Sequence, residues 1–142
     1  NNSVGTLHDI TTAVSDITVA GTYIDVNYGT TGNDHLVDFT EFVKGVLRYD
    51  GAITKRFMIM YTFSMTGGGN TIYSFGVSLN GSKTPIVSSV IRRKTANTDI
   101  GVASLHCIMS LSTNDTVNII VTGDTTTNDP TVDNCSMSIT QI

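Results

Sequence analysis

The chemistry-bearing residues are few. His106 and Cys107 are adjacent, which suggests a thiol and its base. Neighbours on a strand point to opposite faces, so there the two cannot meet, and the pair reads as a core thiol beside an interface or surface histidine. His35 lies between Asp34 and Asp38. Asp34 could orient the imidazole, but the spacing places no nucleophile beside it. His8 reads as exposed. Asp124, Asp129 and Asp133 punctuate one loop and could offer oxygens to Ca²⁺. Their spacing matches no defined Ca²⁺ loop, so the expectation is solvation, with no resident metal or cofactor. Gly67-Gly68-Gly69 lacks the following Lys and Ser/Thr of a phosphate loop, and no Gly-x-Ser-x-Gly elbow occurs. Paired carboxylates facing one cleft, as glycan hydrolysis requires, are not placed on neighbouring strand positions. The expectation is a protein that is not an enzyme.

Charge narrows the partners. The 142 residues carry 12 acidic and 8 basic side chains, net −4. That balance argues against nucleic acid, which selects a basic face. Arg92-Arg93-Lys94 is the one basic run. It reads as a solvated strand end, with an anionic contact such as a sulfated glycan as the alternative. No apolar run approaches the roughly 18 residues of a membrane helix, so no membrane insertion is expected. Only 14% of residues are charged, and Thr, Ser, Asn and Gly fill the surface instead. Such a surface is common in β-rich proteins that work outside cells. Asn80, Asn114 and Asn134, with Asn1, match the N-glycosylation pattern, as expected by chance in so Asn- and Ser/Thr-rich a chain.

The elements that must position these residues are strands. Val117, Ile119 and Val121 share one face at period two, after the turn Thr113-Asn114-Asp115. Cys135, Met137 and Ile139 alternate with Ser136, Ser138 and Thr140 in a closing strand, which must pair inside a sheet or fray. Phe57, Ile59, Tyr61 and Phe63 line one face of the most informative strand, while Met58 and Met60 make its other face apolar. A strand apolar on both faces is covered on both, here by another layer or another subunit. Val102 to Leu111 repeats the pattern: Leu105, Cys107, Met109 and Leu111 inward, His106 and Ile108 opposite. Tyr73 to Leu79 is one-sided, closed by Asn80-Gly81. Further strands are expected at Ile10 to Val19, Tyr23 to Tyr28, His35 to Val43 (Val37, Phe39, Glu41 and Val43 on one face), Val46 to Tyr49 and Ile86 to Arg93. Asn1 to Asp9 shows no periodicity and reads as a connector, leaving Ile10 to Ile142 as a single domain. The chain begins without Met, so a processed product or fragment is expected, with an anchoring region upstream. Eight to ten short strands, no helix and frequent turn signals define an all-β, two-sheet antiparallel sandwich, and a jelly roll is its natural closure.

Leu47-Arg-Tyr-Asp-Gly51, Phe57 to Phe63, Tyr73-Ser-Phe-Gly-Val-Ser-Leu-Asn-Gly81, Leu111-x-x-x-Asp115-x-Val117 and the final Ser-Met-Ser-Ile-Thr-Gln-Ile together resemble the jelly-roll head of the tumour necrosis factor family and of complement-type globular heads. The versions on phage and viral fibres and spikes are the nearest in character. The resemblance spans Ile10 to Ile142. Asn114 stands where the family has Gly, and tolerates the same backbone geometry. The resemblance implies a homotrimer with one sheet at the three-fold axis and Met58, Met60, His106, Ile108 and Ile142 at the interface. It also implies that the strand of Phe57 lies between those of Cys107 and Cys135. Two strand spacings are about 9–10 Å, beyond the roughly 7 Å a disulfide allows, so free buried thiols are expected. The function implied is a trimeric fibre, spike or tail-tip head on a virion surface or otherwise extracellular. It would bind a host-surface glycan or protein through loops and be joined to an upstream fibre or capsid-anchoring domain. A structural decoration or trimerisation domain, or a non-viral secreted binding module, are the alternatives. The expected loops are Gly29 to Asp34 (Thr30, Asn33, Asp34, then His35), Thr66 to Asn70 (Asn70), Thr95 to Asp99 (Asn97, Asp99) and Gly123 to Asp133 (Asp124, Asn128, Asp129).

Overall fold

The computed structural model describes residues 2–142; Asn1, with its glycosylation pattern, lies outside the described residues. Thirteen strands form two antiparallel sheets. Sheet one is built from β11 (Gly101–Leu111), β8 (Lys55–Thr66), β13 (Thr131–Gln141), β1 (Val4–Asp9) and β4 (Thr31–Gly32), in that order. Two short strands join it: β2 (Ala13–Val14) on β13 and β5 (Leu36–Val37) on β1. Sheet two runs β10 (Ile91–Thr95), β9 (Thr71–Leu79), β12 (Thr116–Gly123), β7 (Val46–Tyr49) and β6 (Phe39–Val43), with β3 (Ile24–Asp25) on β12. The C-terminal strand is paired on both sides, by β8 and β1, as a closing strand must be.

The core fills the space between the sheets. Leu7, Ile59, Tyr61, Phe63, Leu105, Met137 and Ile139 come from sheet one; Leu47, Tyr73, Phe75, Val77, Val117, Ile119 and Val121 come from sheet two. At one end Phe39, Tyr49 and Phe57 make a closed aromatic triangle, with ring centroids 5.0–5.4 Å apart. Period-two alternation puts each of these side chains inward and its neighbour outward.

Four expectations need correction. Asn1 to Asp9 is no connector over its described length: Val4–Asp9 pairs along its whole length with β13. Its inward positions are Ser3, Gly5, Leu7 and Asp9, three of them small or polar, so the alternation does not register as apolar. Gly5 is needed there, since a Cβ would sit 2.8 Å from the buried Phe39 ring. The single strand expected over His35 to Val43 is two, broken at Asp38 in the left-handed region (φ 60°). That break carries the chain from sheet one (β5) to sheet two (β6), and a register shift between Glu41 and Val43 leaves Val43 exposed. Residues 87–89 form a 3₁₀ turn, so the strand expected from Ile86 starts at Ile91. Ile10 to Val19 likewise contributes only the two-residue β2 and a buried Ile17.

The turn before β12 explains two motifs at once. Asn114 donates its amide to the Tyr49 carbonyl (2.7 Å), Tyr49 donates to the Asp115 carbonyl (2.8 Å), and the Asp115 carboxylate accepts from the Ser112 amide. The Tyr49 hydroxyl donates to the Ile53 carbonyl and lies where a side chain on Gly51 would be, 2.1 Å from its Cβ position. Asn114 has φ 73°, the left-handed conformation that Gly and Asn accept. Asn114→Ala is therefore expected to destabilise by about 1–2 kcal/mol and Asn114→Gly to be close to neutral, read as shifts in urea midpoint.

Cys107 and Cys135 are free and buried, on β11 and β13 with β8 between them. Burial pushes the Cys107 thiol up to about 11 and raises that of Cys135 as well. The reactive species is the thiolate. Neither thiol should react with a disulfide reagent in native protein near pH 8, and both should react once denatured. A single disulfide found by mass spectrometry would contradict this strand order.

Candidate assembly and binding surfaces

The outer face of sheet one follows from register alone. Directly opposed residues of adjacent strands point the same way. Across β13, β8 and β11 the rows are Thr140–Met58–Ile108, Ser138–Met60–His106 and Ser136–Thr62–Ser104. Ile142 continues the outward set past β13, with its amide donated to the Arg56 carbonyl. All five residues expected at an interface thus share one face. Met58 is half-buried; Met60 is 45% exposed, Ile108 51% and Ile142 57%. His106 is exposed too. Val102, at 69%, extends the apolar set on β11 and was missed by the sequence reading, although it keeps the even-number alternation of His106 and Ile108. Among the described residues, no other layer covers these side chains. His106 and Cys107 point to opposite faces, as their adjacency on a strand requires.

Three of the four expected loops meet at one end of the sandwich. The Asn70 amide donates to the Thr95 carbonyl (2.9 Å), and the Thr95 hydroxyl donates to the Gly68 carbonyl (2.6 Å). The buried Tyr73 ring sends its hydroxyl to the Asn128 carbonyl (3.0 Å), and the Asn128 side-chain amide donates to the Thr71 hydroxyl (3.1 Å). Several expected contact residues are spent on this architecture. Asp124 accepts from the Ile72 amide, Asp129 accepts from the Ile17 amide, and Asn70 itself sits at φ 61°. Asp124 and Asp129 therefore face different backbone amides. Among the described residues no three His, Cys, Asp or Glu side chains converge as a metal site would need. Asn97 and Asp99 are exposed at the tip of their loop.

The fourth loop lies apart, on the β1–β4 edge of sheet one. Asp9 anchors it by accepting from the Thr11 amide and hydroxyl and from the Gly29 amide (2.7 Å). Burial alone would raise the Asp9 carboxyl, but these hydrogen bonds outweigh it and hold it below the usual range. Glu41 is treated alike: its carboxylate accepts from Thr31, Asn33 and the Gly45 amide, which overrides the effect of burial and lowers its pKa. His8 Nδ1 lies 3.3 Å from Asp34, and the His35 backbone is paired both ways with Thr6. Thr30 is exposed, with its amide donated to the Thr11 hydroxyl. Beside this loop, Phe42 and Val43 stand 56% and 54% exposed, with the Arg48 guanidinium 5.4 Å over the Phe42 ring. The register shift that exposes Val43 has no sequence signal, which is why the pair was not singled out.

Two facing sheets in this order, with an apolar outer face on one of them and loops gathered at one end, define a tumour necrosis factor-type jelly roll. Solved structures agree. Murine APRIL, in a crystal structure at pH 5.0, superposes with a TM-score of 0.66 over 100% of both chains at 8% identity. Eiger TNF from S. frugiperda gives 0.59 over 99% of this chain and 92% of its own, at 9% identity. Murine APRIL at pH 8.5 gives 0.56 at 9% identity, with both chains fully covered. No protein-family profile matches the sequence, and no curated protein matches it either. At these identities the likeness is one of fold.

Proposed function

We propose that the domain is a homotrimeric binding head: sheet one packs against its copies around a three-fold axis, and the loops at the exposed end meet a receptor outside the cell. The observation that carries this reading is the uncovered apolar face of Met58, Met60, Ile108 and Ile142, in adjacent rows of a strand set whose other face is already core. Scattered exposed apolar residues are ordinary, but a contiguous set on one sheet face signals an interface. The fold likeness supports the same assignment. Three copies would present each loop cluster three times, turning weak single contacts into avidity. A position at the tip of a viral or phage fibre, spike or tail, joined to an anchoring domain, fits the resemblance read from the sequence; a secreted non-viral ligand fits the fold equally. The side chains argue for binding over catalysis: the buried thiols are held as thiols, His106 faces away from Cys107, and Asp124 and Asp129 accept from backbone amides.

The test is molar mass by light scattering after size exclusion, followed by binding to cultured cells. A mass three times the 15.2 kDa chain is expected. A monomer at micromolar concentration would sink the assembly. A trimer that binds no cell type would favour a purely structural fibre or decoration domain.

A further inference from the structure

We propose that the edge strand β10 is a docking site for a sulfated polysaccharide, held by Arg92 and Lys94. The inference rests on the binding-head reading and gives that head a ligand class. Arg92 and Lys94 are exposed on the same side of β10, roughly 7 Å apart along the strand. Their cross-strand partners on β9 are Ser74 and Ile72, which bring no charge to neutralise them. Arg93 points the other way, toward the gap between the sheets. Its Nε is buried without a hydrogen-bond partner, close enough to the β11 backbone that a Cβ on Gly101 would lie 2.6 Å from it. Among the described residues, none of the three lies within ion-pair distance of a carboxylate, whereas Arg48, Lys55 and Lys83 all do.

Arg92 and Lys94 are thus two cations on one exposed face, without an ion-pair partner among the described residues, in a protein of net charge −4. Unpaired guanidinium and ammonium groups in a row favour a ligand with repeated anionic oxygens, and the planar Arg fork suits a sulfate. The acidic remainder of the surface opposes long, densely charged nucleic acid, so a short anionic stretch of glycan is the better match. β10 ends sheet two and pairs on one side only, so a ligand can approach along it. Charge on an edge strand also blocks unwanted strand pairing. That role alone predicts no ligand.

The probe is a size-defined heparin oligosaccharide, titrated at low and at physiological salt, with its desulfated counterpart and a short DNA duplex as comparators. Wild-type protein should bind the sulfated probe with an affinity that falls as salt rises. The double variant R92S/K94S should bind about tenfold or more weaker, with unchanged circular dichroism and molar mass. R56S, which removes an exposed cation elsewhere, should bind as wild type. Absent binding, an unaffected R92S/K94S, or equal affinity for the desulfated probe or the DNA would overturn the proposal. A monomer that still binds through β10 would sink the trimer and leave this site standing; a trimer indifferent to the probe would do the reverse.

Discussion

Replacing Met60 with Asp is expected to leave a folded chain that no longer assembles. Met60 stands in the row Ser138–Met60–His106, at the middle of the outer face of sheet one, and is 45% exposed in the single chain. In the monomer the new carboxylate meets water, so stability should change by no more than about 0.5 kcal/mol. In the proposed trimer the same carboxylate would enter an apolar contact three times over. Burying an unpaired charge costs several kcal/mol per ion even after relaxation, which exceeds what the lost methionine contacts alone would remove. Ile108→Asp, one row away and opposite Met58, should act the same way. Light scattering should report a species of 15.2 kDa for both. Thr62→Asp, on the same face but in the polar row with Ser104 and Ser136, should weaken assembly less. A Met60→Asp protein that remains trimeric, with an unaltered dissociation profile, would show that this face is not the interface.

The second large effect lies in the core. Phe57 is fully buried and closes the triangle with Phe39 and Tyr49, edge-on to both. Phe57→Ala removes a ring that both neighbours pack against. Neither can collapse into the space: Phe39 is pressed against Gly5, and the Tyr49 hydroxyl is tied to Ile53 beside Gly51. The expected cost is about 3–5 kcal/mol, a large part of the roughly 5–15 kcal/mol that holds a domain of this size. Thermal unfolding should shift down by roughly 10–15 °C. Phe57→Leu, which keeps most of the volume, should cost less than half as much. An Ala variant within 1 kcal/mol of wild type would mean that this end of the sandwich relaxes freely, against its packing. The two experiments separate the two faces of one strand: Phe57 and Met60 both belong to β8, and one should change stability while the other changes assembly.

Much of this was legible along the chain. Alternation identified β8, β9, β11, β12 and β13, because each carries bulky apolar residues on its core face and period two follows from strand geometry itself. The same alternation separated His106 from Cys107 and put Met58, Met60 and Ile108 on one side. β1 escaped because Leu7 is its only bulky inward residue: Gly5 and Asp9, like Ser3 just before the strand, are small or polar and are set by what they pack against and hydrogen-bond to across the fold. The break at Asp38 escaped because a single left-handed residue leaves the apolar pattern on either side intact.

The candidate binding residues divide in the same way. Composition marked the polar stretches between the long strands, although Gly29 to Asp34 holds the two-residue β4 and the last stretch gives way to β13 at Thr131; composition carries no information on which polar side chains are free. Asp124, Asp129 and Asn128 look like contact residues in the sequence and are anchors in the structure, since Asp124 and Asp129 accept from the Ile72 and Ile17 amides and the Asn128 side chain donates to the Thr71 hydroxyl, all distant in the chain. Arg92, Arg93 and Lys94 are adjacent in the sequence, but only the folded chain shows that, among the described residues, no carboxylate comes within ion-pair distance of them. By itself, then, the sequence determined the class of fold, the long strands and the two-faced character of β8 and β11, because these depend on periodicity, which is local. The tertiary structure decided where the chain changes sheets, which polar groups are already occupied, and which apolar face has nothing over it, because each depends on residues that meet only when distant strands are brought side by side.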